Sequence, residues 1–470
     1  MSFAPAFKHA FEATILREYD VRGVVGQTLH VADAYAIGRG FGSAIAGAGG
    51  KRVALGWDGR LSSPELMAQT AKGLADSGLE VLRTGLGPTP QLYFAVRENH
   101  LDGGLMITGS HNPADYNGFK MMRAKASFWG PEIQAMGRAV AAGDLVSGTG
   151  RIGDLAVQAA YVDRLLRDFP KTGKKLAVVW DGGNGSMGDV LVAVAKRLPG
   201  RHILLNEKID GTFPAHHPDP TVAKNLVQLQ NAVIAEKADL GIAFDGDGDR
   251  IGVVDGQGRI LWGDQLVAVL ASEILARLPG STIIADVKAS QVLFDEIARM
   301  GGVPLMWKTG HSIIKTKMAE TGAPLAGEMS GHIFFADGWY GFDDAMYAAL
   351  RLLAILVGGD ASLADFRDRM PDVVNTPELR FPCADTRKRG VVDEVKARLA
   401  ASGAKVSDVD GVRVTTADGW WLLRASNTQD VLVARCEAKD AAGLARLQAA
   451  LEAQLGASGI ALPDDAASGH

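Results

Sequence analysis

Two hydrophobic patterns alternate along most of the chain. Short apolar runs rich in β-branched residues end in glycine-rich turns, and amphipathic stretches rich in alanine and leucine, such as residues 63–79, lie between them. The short runs predict buried strands, and the amphipathic stretches predict helices. Because strands that alternate with helices are typical of layers built on largely parallel sheets, we predict an α/β fold.

The alternation repeats along the chain. Three apolar runs end in an aspartate at a turn, at residues 52–60, 175–185 and 281–290. Each is followed further on by a polar or acidic loop: TGSHNP from Thr108, FDGDGDR from Phe244 and GEMSGH from Gly327. We therefore predict three related α/β units that present these loops at the carboxyl ends of their strands, where open α/β sheets bind ligands.

The hydrophobic pattern of the sequence changes after about residue 370, where segments such as VDEVKARLAASG and DVLVARCEAK predict a smaller α+β domain. A chain of 470 residues is long enough for several domains with separate cores. We place the domains at residues 1–155, 156–260, 261–372 and 373–460, followed by a C-terminal tail at 461–470.

The charge balance excludes some classes of partner. The chain has 49 basic and 54 acidic residues, so its formal charge of -5 gives no reason to expect nucleic acid or an anionic membrane as a partner.

Cys383 and Cys436 are too few for a disulfide scaffold or a zinc cluster. The first 20 residues lack the uninterrupted apolar segment of a signal peptide, and no stretch is apolar enough to span a bilayer. We expect a cytoplasmic protein.

Three carboxylates in the FDGDGDR loop indicate a cation site. Asp245, Asp247 and Asp249 alternate with two glycines that let the backbone curl, directly after the apolar run LGIAF. Such carboxylates suit a hard cation held by oxygens, and Mg²⁺ is favoured if a phosphate completes the shell. An EF-hand is excluded because Arg250 and Gly256 stand where it needs glycine and glutamate. The alternative is a solvated acidic turn.

Phosphate chemistry without a nucleotide follows from the neighbouring residues. Arg250 adds a guanidinium to the cation loop, a pairing that a transferring phosphoryl group requires. The chain contains no G-x-x-x-x-G-K-[ST] loop, so we do not expect ATP as the donor. Residues 38–50, rich in glycine, follow no strand-like run and are better interpreted as a helix with a glycine stop.

A phosphoryl donor other than a nucleotide needs a covalent carrier, and Ser110 in the TGSHNP turn is the best-placed nucleophile. The alternative is a plain turn or helix cap, since serine, asparagine and proline favour such places. Arg424, Ser426, Asn427 and Thr428 form a polar loop suited to a phosphate that is held and not transferred. The GEMSGH loop supplies short polar groups that could bind sugar hydroxyls, although its histidine could equally be structural.

Taken in order, the motifs TGSHNPADYNGFK, DGDGDR, GEMSGH and RASNT resemble those of the α-D-phosphohexomutases, and most closely the bacterial phosphomannomutase/phosphoglucomutase branch. The resemblance extends from REYDVRG at residues 17–23 to RASNT at 424–428. It implies three related α/β domains and a C-terminal α+β domain in a heart shape around a central cleft. It also implies hexose phosphates as substrates, and we expect a monomer.

The resemblance assigns roles residue by residue. Ser110 would be the phosphoserine, and its phosphate would hold Mg²⁺ together with Asp245, Asp247 and Asp249. The groups at the reacting centre or in contact with substrate would be Tyr19, Arg22, Lys120, Arg250, Lys288, His311, Glu328, Ser330 and His332. The distal phosphate would be held by Arg424, Ser426, Asn427 and Thr428.

The implied reaction moves a phosphoryl group reversibly between the 1- and 6-positions of mannose or glucose phosphates. The phosphoserine would donate to the free hydroxyl, and the resulting glucose or mannose 1,6-bisphosphate, which also serves as activator, would return its other phosphate. His332 is our candidate for the general acid and base, while Arg22 and Lys120 would stabilise charge. Pathway, sugar preference and resting phosphorylation stay open.

One departure and three alternatives accompany this resemblance. Asp430 stands where relatives commonly have proline, which bears on the stiffness of the phosphate loop.

Phosphoglucosamine mutases usually carry alanine before the serine and another residue at Met329, so this chain favours mannose and glucose. A serine-dependent metal phosphatase would need Ser110 and the aspartates but gains little from the other two loops. A catalytically silent sugar-phosphate-binding protein would not need Ser110.

Overall fold

The computed structural model describes residues 7–427 and 429–460. The predicted contact Thr428 and the predicted tail at 461–470 lie outside the described residues. Among the described residues, no helix is both long enough and apolar enough to cross a membrane.

The first unit is a seven-stranded sheet with helices. Its strands are β1 (Val21–Val24), β2 (Arg52–Trp57), β3 (Glu80–Leu86), β4 (Gly103–Ile107), β5 (Tyr116–Arg123), β6 (Ala126–Ser127) and β7 (Arg151–Asp154). Its helices are α1 (Val31–Gly47), α2 (Ser63–Ala75), α3 (Thr89–Glu98) and α4 (Pro131–Ala142), after a 3-10 turn at Ala13–Ile15. The strand order is β1-β5-β4-β2-β3-β7, with β6 paired to β5. The glycine-rich segment at 38–50 is helix α1 with its stop, as predicted.

The second unit is a five-stranded sheet. It contains α5 (Gln158–Leu166), β8 (Leu176–Asp181), α6 (Gly188–Ala195), β9 (Gly200–Leu205), a 3-10 turn (Ala223–Leu226), α7 (Val227–Glu236), β10 (Leu240–Phe244), β11 (Ile251–Asp255) and β12 (Ile260–Leu261). The strand order is β12-β11-β10-β8-β9.

The third unit has a four-stranded sheet. It contains α8 (Gly263–Arg277), β13 (Thr282–Asp286), α9 (Gln291–Arg299), β14 (Val303–Trp307), α10 (His311–Thr321), β15 (Leu325–Gly327), β16 (Ile333–Phe335), α11 (Ala345–Gly358) and α12 (Leu363–Asp368). The strand order is β14-β13-β15-β16.

The three sheets share one core topology, which confirms the prediction of three related α/β units. The strands that end in the repeated aspartate, β2, β8 and β13, each lie between two parallel neighbours. The strand that carries the second loop, β4, β10 or β15, then pairs with an antiparallel strand. In each unit the polar loop therefore leaves the carboxyl end of a buried inner strand.

The fourth unit is α+β, as predicted. It contains β17 (Val374–Asn375), β18 (Leu379–Pro382), α13 (Asp385–Ser402), β19 (Lys405–Ser407), β20 (Val412–Thr415), β21 (Gly419–Ala425), β22 (Val431–Ala438) and α14 (Ala441–Ala457). The sheet is antiparallel throughout, in the order β17-β22-β21-β20-β19, with β18 also paired to β22.

One hydrophobic cluster spans the first three units, each of which also has a cluster of its own, while the fourth unit has a separate core. Helix α3 of the first unit, α5 and α6 of the second, and α8 and α11 of the third contribute to one continuous buried cluster. A separate cluster lies between the fourth sheet and its helices. The fourth unit is attached to the third in part through Arg413, which donates hydrogen bonds to the carbonyl oxygens of Val287 (2.7 Å) and Ala289 (2.8 Å). We keep the exact domain boundaries as a prediction.

Candidate active site

Ser110 lies in a strained turn that follows β4. Its φ angle is 47°, in the left-handed region that side chains other than glycine rarely adopt, and the residue is buried. The turn directs the hydroxyl toward the second unit, where Oγ donates a hydrogen bond to Oδ2 of Asp245 (3.0 Å). The turn therefore presents a nucleophile to the acidic loop of another unit.

One buried guanidinium holds this turn, and the sequence analysis missed it. Arg60 donates to the carbonyl oxygens of Ser110 (2.8 Å), Asn112 (2.7 Å), Pro113 (2.5 Å) and Tyr116 (3.0 Å). Its charge is balanced by Asp58, whose Oδ2 also accepts from the backbone N–H of Gly109 (3.0 Å). The available signal was the D-G-R sequence directly after β2, at the same sheet edge as the serine loop.

Arg22, the predicted charge stabiliser, also contacts the serine turn. Its Nη1 donates to the carbonyl oxygen of Gly109 and to Oδ1 of Asn112, both at 2.6 Å, and its guanidinium pairs with Asp20. Two guanidiniums thus bind the backbone around Ser110.

The predicted cation loop brings three carboxylates together at the end of β10. Asp245, Asp247 and Asp249 are all fully buried, and one oxygen from each lies within 4.8 Å of the others. Oδ1 of Asp245 accepts the backbone N–H groups of Asp249 (3.0 Å) and Arg250 (3.1 Å). These bonds fold the loop back on itself and orient its carboxylates.

The chemistry of this loop fits a hard divalent cation. Oδ1 of Asp247 and Oδ1 of Asp249 are buried and have no hydrogen-bond partner among the described residues. Lys120 donates to both of these aspartates, at 2.7 Å for Asp247. Burial, and then the charges of the two neighbouring aspartates, raise the pKa of Asp245 well above its ordinary value. A bound cation would relieve this excess of negative charge.

His332 lies at the junction of the second and third units. Its Nε2 accepts a hydrogen bond from Nε of Arg250 (3.0 Å), and a backbone bridge pairs the same two residues. Its ring stacks on that of His311 with centroids 5.5 Å apart. Burial and the charge of Lys315 hold the pKa of His311 well below its ordinary value. The structure thus brings the predicted Arg250, His311 and His332 together.

A second set of possible metal ligands, Asp249, His332 and Asp343, adjoins the first. Nδ1 of His332 lies 3.0 Å from Oδ2 of Asp343 and 3.6 Å from Oδ1 of Asp249. However, Arg250 can only donate, so Nε2 must offer a lone pair and the neutral ring must carry its proton on Nδ1. With its proton on Nδ1, His332 offers no lone pair to a metal at that nitrogen in this arrangement, so the three aspartates of the loop are the better cation site.

The predicted sugar loop is tied to neighbouring loops. Glu328 is buried, and its Oε1 accepts the backbone N–H of Gly310 (2.6 Å). Oγ of Ser330 lies 3.5 Å from Oε2 of Glu328. Lys288 instead contacts the start of the fourth unit, donating to Oε2 of Glu378 (3.1 Å), and this pair lowers the pKa of Glu378 to about 2.

The predicted phosphate loop meets the first unit through Tyr19. Nδ2 of Asn427 donates to Oη of Tyr19, which in turn donates to the carbonyl oxygen of Thr309 (2.9 Å). Nε of Arg424 donates to Oδ2 of Asp410 (2.9 Å), and Oγ of Ser426 accepts the backbone N–H of Gln429 (3.2 Å). Tyr19 therefore links the first, third and fourth units. The roles of all these residues stay predictions.

Comparison with known protein families identifies four consecutive matches. All four matching family models are of phosphoglucomutase/phosphomannomutase. Three describe its alpha/beta/alpha domains I, II and III, and the fourth describes its C-terminal domain. They match residues 13–143, 159–258, 262–373 and 378–454.

Similar proteins span nearly the whole chain. A phosphomannomutase/phosphoglucomutase of Pseudomonas putida is 45% identical over 446 residues, covering 95% of this chain and 96% of its own. A phosphoglucomutase of Neisseria gonorrhoeae is 42% identical, with 92% of this chain and 95% of its own covered. The crystal structure of a phosphoglucomutase/phosphomannomutase family protein from Burkholderia thailandensis has a TM-score of 0.91 and 42% identity, covering 96% of this chain and 100% of its own.

Proposed function

This chain belongs to the phosphoglucomutase/phosphomannomutase family, and we propose that it transfers a phosphoryl group between the 1- and 6-positions of hexose phosphates through a phosphoserine at Ser110. It is a hexose-phosphate mutase, and therefore an isomerase. The observation that carries the phosphoserine proposal is the buried Ser110 hydroxyl, held in a left-handed turn 3.0 Å from a carboxylate of the cation loop.

Mg²⁺ is the proposed cation, with Asp245, Asp247, Asp249 and the phosphorylated Ser110 as its ligands. When bound, Mg²⁺ would neutralise part of the negative charge on the transferring phosphoryl group. Two buried carboxylate oxygens without hydrogen-bond partners among the described residues support this proposal.

In the first half-reaction, the bond between phosphorus and the Ser110 oxygen breaks while a bond forms between the same phosphorus and the sugar hydroxyl oxygen. The hydroxyl proton passes to Nε2 of His332, the nitrogen that carries the lone pair. For this, Arg250 must leave Nε2, and an anionic substrate phosphate would attract its guanidinium. Lys120 and Arg22 supply positive charge beside the serine turn.

The product of this step is a 1,6-bisphosphosugar, either glucose or mannose 1,6-bisphosphate, which also primes an unphosphorylated enzyme. It must turn over so that its other phosphate faces Ser110, and the serine then recovers a phosphoryl group while His332 returns the proton. Glu328 and Ser330 would bind sugar hydroxyls in both orientations. Arg424, Ser426, Asn427 and Thr428 would hold whichever phosphate is distal, with Lys288 and His311 as further contacts.

Exclusion of water is needed because water that reached the phosphoserine would release phosphate. The contact from Asn427 to Tyr19 supports such closure, since it connects the phosphate loop to the unit that carries Ser110.

We further propose that the enzyme works in the cytoplasm as a monomer, with hexose phosphates as its partners.

Replacement of Ser110 tests this function. We expect purified enzyme with Mg²⁺ and a trace of glucose 1,6-bisphosphate to convert glucose 1-phosphate and mannose 1-phosphate to the 6-phosphates, measured by coupled dehydrogenase assays. Ser110→Ala should reduce this turnover by at least about 1,000-fold because the covalent carrier is lost. Ser43→Ala, which removes a hydroxyl bonded to the backbone of Val146 in the same unit, is the matched control and should retain it.

Three results would contradict the proposal. Normal turnover by Ser110→Ala would remove the serine from the mechanism. Stoichiometric release of free phosphate by the unaltered enzyme would make it a phosphatase. A strong preference for glucosamine phosphates would assign it to the phosphoglucosamine mutases.

A further inference from the structure

His332 has a polar neighbour at each ring nitrogen, although Nδ1 makes no aligned hydrogen bond among the described residues. Nε2 accepts from Nε of Arg250 (3.0 Å), and Nδ1 lies 3.0 Å from Oδ2 of the buried Asp343. We propose that Asp343 is a positioning residue for the mutase reaction, which keeps the proton of the neutral His332 ring on Nδ1 and so leaves the lone pair on Nε2. Its kinetic consequence rests on the role of His332 proposed above.

The charges around Nδ1 favour a proton there. Oδ2 of Asp343 lies 3.0 Å from Nδ1, and both of these buried atoms lack an aligned hydrogen-bond partner among the described residues. An N–H group beside the Asp343 carboxylate is attracted to it, whereas a lone pair would be repelled. The donor Nε–H of Arg250 on the opposite side of the ring requires the same proton position.

Lys315 determines how Asp343 is oriented. Its Nζ donates to Oδ1 of Asp343 (3.1 Å) and approaches Nδ1 of His311 (3.3 Å). Because an ammonium group can only donate, it holds one carboxylate oxygen and leaves the other to face His332. Asp343 therefore needs two acceptor oxygens, one for Lys315 and one for the imidazole.

This requirement makes Asp343→Asn a specific test. An asparagine has a single oxygen, and Lys315 would claim it. The amide N–H₂ would then face Nδ1 of His332, in conflict with the N–H of that ring nitrogen. The imidazole would have to shift its proton to Nε2, where Arg250 already donates, or lose its position.

The same geometry predicts a rescue. In Asp343→Asn combined with Lys315→Met, no ammonium group claims the amide oxygen, so the amide can flip and present its oxygen to the N–H of His332. The double variant should therefore be more active than Asp343→Asn alone. A residue that served only to fill space or support the fold would show no such recovery, because the second substitution would add its own damage.

The kinetic experiment measures kcat and KM for glucose 1-phosphate in the unaltered enzyme, both single variants and the double variant. We expect Asp343→Asn to lower kcat by at least about 100-fold with KM within about threefold, since general base catalysis is lost while substrate contacts remain. The double variant should regain at least about tenfold over Asp343→Asn. Asp344→Asn is the matched control, because this neighbouring buried carboxylate faces Tyr161 and not His332.

A measurement on resting enzyme separates this inference from the proposed function. In ¹⁵N-histidine-labelled protein, the His332 signals are identified by their loss in His332→Gln, and their long-range proton–nitrogen correlations show which nitrogen is protonated. We expect the neutral ring to carry its proton on Nδ1 in the unaltered enzyme and in the double variant, but not in Asp343→Asn. This readout needs no sugar and stands even if the mutase assay fails.

Three results would overturn the inference. The first is a neutral His332 protonated on Nε2 in the unaltered enzyme. The second is an Asp343→Asn variant that retains both the Nδ1 proton and normal kcat. The third is a loss of kcat in Asp343→Asn that Lys315→Met deepens.

Discussion

At the scale of single residues, Ser110 depends on side chains that bind the backbone of its turn and not its hydroxyl. Arg60 uses one guanidinium to bind four carbonyl oxygens of the serine turn, and Asp58 balances its charge. This arrangement offsets the unfavourable left-handed conformation of Ser110 and fixes the direction of its hydroxyl. A reactive turn of this kind needs rigid support from outside its own sequence.

Arg60→Lys tests this support. A lysine keeps the charge opposite Asp58 but presents one nitrogen where the guanidinium binds four oxygens, so the turn should lose its fixed shape. We expect kcat to fall by about 10- to 100-fold, because small displacements of reacting groups are costly. The measurement is steady-state turnover of glucose 1-phosphate together with the thermal midpoint.

The control for this variant is Arg83→Lys in the same sheet. Arg83 pairs with Asp154 at the surface, where the side chains are 35% and 74% exposed, so little activity or stability should change. Equal activity in Arg60→Lys and Arg83→Lys would show that the turn holds its shape without Arg60.

The reactive groups could be predicted from sequence because each stands in a short motif. The spacing of the three aspartates and the serine turn after an apolar strand already indicated a cation and a nucleophile. The D-G-R sequence after β2 indicated the position of Arg60 but not its partners, and Asp343 could not be found this way. Their roles depend on which side chains from distant segments they face, and no local spacing carries that information.

At the scale of elements, the serine loop and the cation loop are packed backbone to backbone. A methyl group added at Gly246 would lie 2.4 Å from the carbonyl oxygen of Ser110, which is closer than real contacts allow. Gly246 therefore lets the cation loop approach the serine loop closely, in addition to letting the backbone curl. The sequence pattern alone did not show this close approach.

Gly246→Ala should separate the two loops. We expect kcat to fall by roughly 100-fold, because the distance between the Ser110 oxygen and the cation ligands would change. Gly153→Ala is the control, since a methyl group there meets no atom within 4 Å. Steady-state turnover at saturating Mg²⁺ measures the effect, and equal activity in the two variants would contradict the close packing described here.

A buried carboxylate at the start of α11 predicts a pH-dependent stability. Asp344 receives hydrogen bonds from Oη of Tyr161 (2.8 Å) and the backbone N–H of Tyr347 (2.9 Å). Burial nevertheless raises the pKa of Asp344 from 3.8 to about 7. The native state therefore keeps a proton that the unfolded chain releases, and its stability falls as the pH rises from about 4 to about 7.

Asp344→Asn should remove this dependence. The free energy of unfolding of the variant relative to the unaltered protein should rise by up to about 4 kcal/mol between pH 4 and pH 8, measured by urea denaturation. The asparagine retains an acceptor for the helix start. A constant difference between the two proteins across this range would show that Asp344 is ionised in the native state throughout.

At the scale of the whole molecule, three units are fused and the fourth is attached. The first three share one hydrophobic cluster, whereas the fourth has a separate core. It meets the third through polar contacts of Arg413 and through a small apolar cluster of Val287, Trp420 and Leu422. The repeated strand pattern predicted the three units and the α+β fourth. It could not predict their mutual packing, since apolar helix faces do not specify which partner they bury against.

Tyr19 connects this assembly across the proposed site, and Tyr19→Phe tests the connection. The variant loses hydrogen bonds to Asn427 and Thr309, each contributing about 1 kcal/mol. We expect a several-fold rise in KM and a larger share of free phosphate per turnover. Tyr35→Phe, whose hydroxyl binds Asp76 within the first unit, is the control. An unchanged KM and unchanged phosphate release would exclude a closing role.

The central claim is that the phosphoryl group carried by Ser110 is the group that reaches the sugar. The most direct test is a single-turnover chase, in which enzyme labelled with ³²P on Ser110, as located by peptide mapping, is mixed with excess unlabelled glucose 1-phosphate and Mg²⁺. We predict that the label leaves the enzyme within one turnover and appears first in glucose 1,6-bisphosphate and then in hexose monophosphate. Label that stays on the protein during turnover, or that leaves as inorganic phosphate, would contradict the account.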